Sequence, residues 1–84
     1  MTKTINKEVE VNAFYFSQGH GFKSFPRSIT LDNNRYTFRD GLQLLIRRGE
    51  EIVRLFDMND GDTLYRLRKQ GNQWTLIGTK TLVV

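Results

Sequence analysis

Cysteine is absent from this chain, which excludes a disulfide framework and a thiolate-held metal. Histidine occurs once, at His20, so no imidazole cluster is available to hold a metal or relay a proton. Proline also occurs once, at Pro26. No apolar run approaches the roughly 20 residues of a membrane-spanning helix. Residues Met1 to Lys7 lack the apolar stretch of a signal peptide. These absences lead us to expect a cytoplasmic chain without membrane insertion.

What remains is the composition of a folded domain. Hydrophobic residues make up 38% of the 84, charged residues 26%, and ten side chains are aromatic, which disordered chains lack. The length suits one domain, residues 1–84, with termini expected to fray. Thirteen basic against nine acidic residues leave a net charge of +4. That balance favours contact with polyanions but is common among small domains.

Residues Glu8 to Phe16 alternate in polarity and are rich in β-branched and aromatic side chains, the pattern of a strand. The second half is apolar on both faces, so burial on both sides is expected there. Ser17 to Gly21 reads as a loop. Phe22 to Phe25 reads as a short extended piece, which Pro26 confines to an edge or a bulge. Ser28 to Phe38 predicts a β-hairpin turning at Asn33-Asn34, which pairs Leu31 with Tyr36 and Ile29 with Phe38.

Residues 40–49 fit two periodicities. Leu42, Leu44 and Ile46 match a strand, whereas Leu42, Leu45 and Ile46 match a helical stripe. The ends favour a short helix over about 40–48: Asp40 suits the amino-terminal cap, Arg47 and Arg48 the carboxyl end of the dipole, and Gly49 the stop. Residues 52–79 read as a three-stranded meander. Its first turn, Asn59-Asp60-Gly61, pairs Leu55 with Tyr65 and Val53 with Leu67. Its second, Gly71-Asn72, pairs Lys69 with Trp74 and Leu67 with Leu76. The fold class expected is therefore α+β, a helix on a mostly antiparallel sheet; a strand at residues 40–49 would give a small all-β barrel instead.

No motif carries catalysis. His20 lies between two glycines without a neighbouring nucleophile or orienting carboxylate, and Gly19 to Phe22 lacks the helix that a phosphate loop requires. Asp57, Asp60 and Asp62 lack the closing glutamate of a calcium loop, and turn chemistry explains Asp60-Gly61. We expect no enzyme activity, no cofactor and no metal. The remaining candidate is a sheet face on which Arg54, Arg66 and Arg68 stand beside Phe56 and Met58. Arginine mixed with apolar residues suits a protein contact, with an unidentified partner or with another copy along an open edge beside Pro26 or at Gln73 to Thr79. The alternative is nucleic-acid binding, with bases stacked on aromatics and phosphates held by arginines.

Overall fold

The computed structural model describes residues 2–17 and 23–82, and among these it contains strands and turns but no helix. Seven strands follow in chain order: β1 (Thr2–Ser17), β2 (Lys23–Leu31), β3 (Asn34–Thr37), β4 (Asp40–Arg48), β5 (Glu51–Asn59), β6 (Thr63–Gln70) and β7 (Gln73–Thr81). They form one antiparallel sheet in the order β3-β2-β1-β7-β6-β5-β4.

The expected α+β class is thereby corrected to all-β, and the expected helix at 40–48 is β4. Every residue of β4 from Asp40 to Arg48 pairs with β5. Gly49, read as a helix stop, has φ 61° and opens the two-residue turn Gly49-Glu50 between Arg48 and Glu51. A left-handed glycine terminates a helix and starts a primed hairpin turn equally well, so the residue type alone does not discriminate. The strand pairing accounts for Gly41. A Cβ there would collide with the Met58 side chain and the Asp57 carbonyl across the ladder. The all-β barrel is corrected as well, because β3 and β4 end the sheet without pairing to each other.

These two terminal strands are joined by only Phe38 and Arg39, although five strands lie between them. The sheet must therefore fold over until its ends meet. β1 makes this possible by serving both halves: Thr2 to Val9 pair with β7, and Glu10 to Ser17 pair with β2. Register shifts between Thr4 and Lys7, and on both sides of Ala13, bend it. Asn6, inside the first shift, has φ 51°.

The core fills the space between the halves. Ile29, Phe38, Met58, Leu67 and Leu76 are at most 1% exposed, with Val9, Phe56, Tyr65 and Trp74 beside them. Aromatic contacts cross the gap: Phe25 meets Phe56 edge-on at 6.1 Å, and Tyr36 meets Tyr65 at 5.7 Å. Phe38 sits in the connection itself. Its amide donates to the Arg27 carbonyl, its carbonyl accepts the Tyr15 hydroxyl, and its ring lies 5.1 Å from Tyr65.

Three hairpin registers test the sequence reading. The β6–β7 turn at Gly71-Asn72 is found as predicted, with Lys69 opposite Trp74 and Leu67 opposite Leu76. In β2–β3 the turn falls on Asp32-Asn33, at φ 50° and 66°, one residue earlier than expected. That shifts the pairing by two, so Ile29 faces Tyr36 and the apolar face survives. In β5–β6 the pairing shifts by three, which turns β5 over. Met58 faces Tyr65 and Phe56 faces Leu67, so Phe56 and Met58 enter the core in place of Val53 and Leu55.

Asp60 causes that shift. Its Oδ1 accepts the amides of Asp62 and Thr63, its Oδ2 accepts the Tyr65 hydroxyl, and its own amide donates to the Thr63 carbonyl. The side chain thus closes a four-residue loop, Asp60 to Thr63, instead of a three-residue one. Pro26 lies within β2 opposite Phe14, at a stretch that β3 does not reach, so its missing N–H breaks no ladder. The expected two-sided burial of β1 is not found, since Phe14 and Phe16 are 40% and 72% exposed. Of the loop read at Ser17 to Gly21, Ser17 ends β1, and residues 18–21, His20 among them, lie outside the described residues.

Two expectations follow. A Cβ on Gly78 would stand 2.6 Å from the Lys3 carbonyl oxygen, at the shift where β1, β6 and β7 meet. Gly78→Ala should therefore cost about 1–3 kcal/mol in urea unfolding. Burial opposes the Asp60 carboxylate, but the two amides and the Tyr65 hydroxyl outweigh it and hold its pKa below the ordinary value. Stability from this group is complete above the unfolded carboxylate pKa and is lost as pH falls through the lower native one. Asp60→Asn should lose about 1 kcal/mol at neutral pH, and the deficit should shrink below about pH 4. The Tyr65 hydroxyl is pushed up to about 12 by burial and then by Asp60. Its contribution is complete below about pH 10 and disappears as pH rises through the native value, so alkaline unfolding should track tyrosinate absorbance.

Candidate functional site

Because successive side chains on a strand point to opposite faces, the β5–β6 register decides which residues the layer β4–β7 shows to solvent. Leu44 of β4 pairs with Leu55 of β5, Leu55 with Arg68 of β6, and Arg68 with Thr75 of β7. These four side chains cross the outer face as one row. The next row on that face runs from Leu42 through Asp57 to Arg66, and Ile46 with Val53 forms the row on the other side. Leucines and isoleucines thus alternate with charged groups on a face that no other element of the described chain covers.

Exposure confirms that the apolar groups are uncovered. Leu42 is 53% exposed, Leu44 40% and Ile46 43%. On the opposite side of the same hairpin, Leu45 and Ile52 are 65% and 53% exposed. The core claims only the half of β5 that carries Phe56 and Met58, so the end near Gly49 projects past it with apolar side chains on both sides. A shallow groove of about 330 Å³ runs over Val53, Leu55 and Ile77 between Arg66, Arg68 and Glu51. A second of about 380 Å³ continues past Leu64 and Ile77 to Thr4 and Lys80.

One pair of charges on this face is closely matched. Arg66 makes a two-pronged bond to Asp57, with Nε to Oδ1 at 2.7 Å and Nη2 to Oδ2 at 2.8 Å. This bond, with the carboxylate charge, raises the Arg66 pKa. Gln70 donates to Glu51 at 2.7 Å. Arg68 differs: its Nε is buried without a hydrogen-bond partner, and its residue lies beside Leu55.

The four residues singled out from the sequence do not form one patch. Phe56 is 2% exposed, packed against Trp74 at 5.2 Å and Phe25 at 6.1 Å, so it is a core residue rather than a contact. Arg54 is exposed on the inner-facing side of β5, opposite Lys69. Arg66 and Arg68 stand on the outer side. The three-residue offset at Asp60 separates the pairs. Sequence reasoning missed Leu42, Leu44, Leu45 and Ile46 as surface groups because a helix would have buried part of them. One signal was available: Phe56 and Met58 are bulkier than Val53 and Leu55, and the bulkier pair takes the core.

Among the described residues no three histidine, cysteine or acidic side chains cluster as a metal site requires. No helix of the described residues is long and apolar enough to cross a membrane. The acids lining the two outer grooves reduce to Glu51. What the surface offers is apolar contact area bordered by arginines. No family model, curated protein or solved structure matches the chain.

The separation of core from surface is measurable. Phe56→Ala should cost about 3–5 kcal/mol in chemical denaturation, whereas Leu45→Lys should stay within about 0.5 kcal/mol of the parent.

Proposed function

We propose that the chain is a non-enzymatic protein-interaction domain whose contact surface is the β4–β5 hairpin and the adjoining outer face. The observation that carries this reading is the set of five large aliphatic side chains, Leu42, Leu44, Leu45, Ile46 and Ile52, each at least 40% exposed on one hairpin. Scattered apolar residues are ordinary on a surface, but a group of this size displayed on the two sides of one projecting hairpin marks a contact. Aliphatic groups ringed by arginine match the composition of protein interfaces.

Nucleic-acid binding is the second reading. Arg54 and Lys69 lie near an aromatic pair, with the Lys69 ammonium 5.7 Å above Trp74 and Phe14 6.1 Å from the same ring. The Trp74 residue, however, is only 8% exposed, which leaves little ring face for a base. Arg66 is held by Asp57, which reduces its availability to phosphate.

A photo-crosslinking amino acid placed in separate variants at Leu45 and at Arg54, with Arg35 on β3 as the control, separates the readings in an expressing cell. The interaction reading expects discrete protein adducts from position 45 and none from position 35. Adducts to nucleic acid from position 54, with none to protein from position 45, would overturn it. Oligonucleotide anisotropy supplies the second check, and no salt-sensitive binding at physiological ionic strength is expected.

A further inference from the structure

β4 ends the sheet, so nine residues present an unpaired edge, whereas β3 at the other end has only four. Which backbone groups point outward follows from the turn. Arg48 and Glu51 flank a two-residue turn and exchange both ladder bonds, and such pairs alternate along a hairpin. Ile46, Leu44 and Leu42 therefore spend their N–H and C=O groups on β5. Those of Gly41, Gln43, Leu45 and Arg47 point away from the sheet.

An exposed edge of this length with leucines on both sides pairs with another strand unless charge or proline blocks it, and β4 carries neither at its centre. Its charges lie at the ends and are of opposite sign: Asp40 at the start, Arg47 and Arg48 at the finish. That polarity is self-complementary when two β4 strands run antiparallel. Resting on the interaction reading above, we infer that the partner of this edge is a second copy of the chain, joined β4 to β4 across a two-fold axis at Leu44.

The backbone restricts the register. Outward-pointing residues must oppose outward-pointing residues, which allows only shifts of two. With Leu44 on the axis, Gln43 opposes Leu45 and exchanges ladder bonds with it, Leu42 opposes Ile46, and Asp40 opposes Arg48. All nine residues then find partners, and opposite charges meet at both ends. Centring on Gln43 would oppose Arg39 to Arg47, two like charges. Centring on Leu45 would oppose Leu42 to Arg48 and leave Asp40 without a basic partner. The Leu44 register also places Leu42, Leu44 and Ile46 of both copies side by side on one face, so that the exposed aliphatic strip of each copy continues across the seam. A two-fold contact uses the same edge on each copy, so it closes at two and does not propagate.

Sedimentation equilibrium with the whole chain, combined with amide exchange at low and high protein concentration, tests this. The expected result is a species of twice the 9.9 kDa chain mass at high concentration, with the Gln43, Leu45 and Arg47 amides gaining protection as it forms. Asp40→Arg and Arg48→Asp should each weaken association about tenfold, and the double variant should recover most of the loss. Leu44→Lys, which sets two ammonium groups against each other on the axis, should abolish it; circular dichroism reports whether each variant remains folded. A chain that stays monomeric with freely exchanging β4 amides overturns the second-copy assignment. In that case protein adducts from position 45 would still support a different partner, and their absence would remove the interaction reading too. A dimer whose charge-swapped double variant fails to recover overturns this register.

Discussion

The two-residue link between β3 and β4 governs this fold. These strands occupy opposite ends of a seven-stranded sheet, and Phe38 with Arg39 must carry the chain from one end to the other. A flat sheet cannot satisfy that link, because five intervening strands at about 4.8 Å spacing separate its ends. The sheet consequently folds across its middle, and the link becomes a buried clasp. Phe38 is 1% exposed, its backbone is tied to Arg27 and Tyr15, and the Arg39 amide donates to the Asn59 carbonyl.

From that clasp follows the division of the apolar residues. The inner faces close on each other around Phe56, Met58, Tyr65 and Trp74, with Phe38 contributed by the link. Among the described residues no element outside the folded sheet covers the outer side of its β4–β7 layer. The aliphatic residues there remain at the surface, and the two-pronged Asp57–Arg66 pair keeps part of the face polar. β4 combines that face with a free edge. The hairpin thus combines a terminal strand of the sheet with five exposed aliphatic side chains.

Much of the local architecture was legible in the residues. Period-two patterning marked β1, the β2–β3 hairpin and the last three strands, because a strand with one buried face must alternate. Gly71 announced its turn, since a two-residue hairpin requires a positive φ that glycine adopts without strain. The Asp32-Asn33 turn was nearly as clear, and its displacement by one residue left the buried face unchanged. The proposed contact surface was far less legible. Arg54, Phe56, Arg66 and Arg68 were grouped by a register that a different loop length at Asp60 overturns.

The sequence by itself determined a cysteine-free chain dominated by antiparallel strands, with turns where glycine, asparagine and aspartate permit them. It did so because patterning and turn chemistry are local, and each is contained within a few residues. Only the tertiary structure decided that residues 40–48 extend rather than coil, since their apolar positions fit both periods and Gly49 serves either ending. It alone decided that Phe56 is core and Leu44 is surface. That choice rests on the Asp60 carboxylate reaching the Asp62 and Thr63 amides and the Tyr65 hydroxyl, and on which half of β5 the folded-over sheet covers.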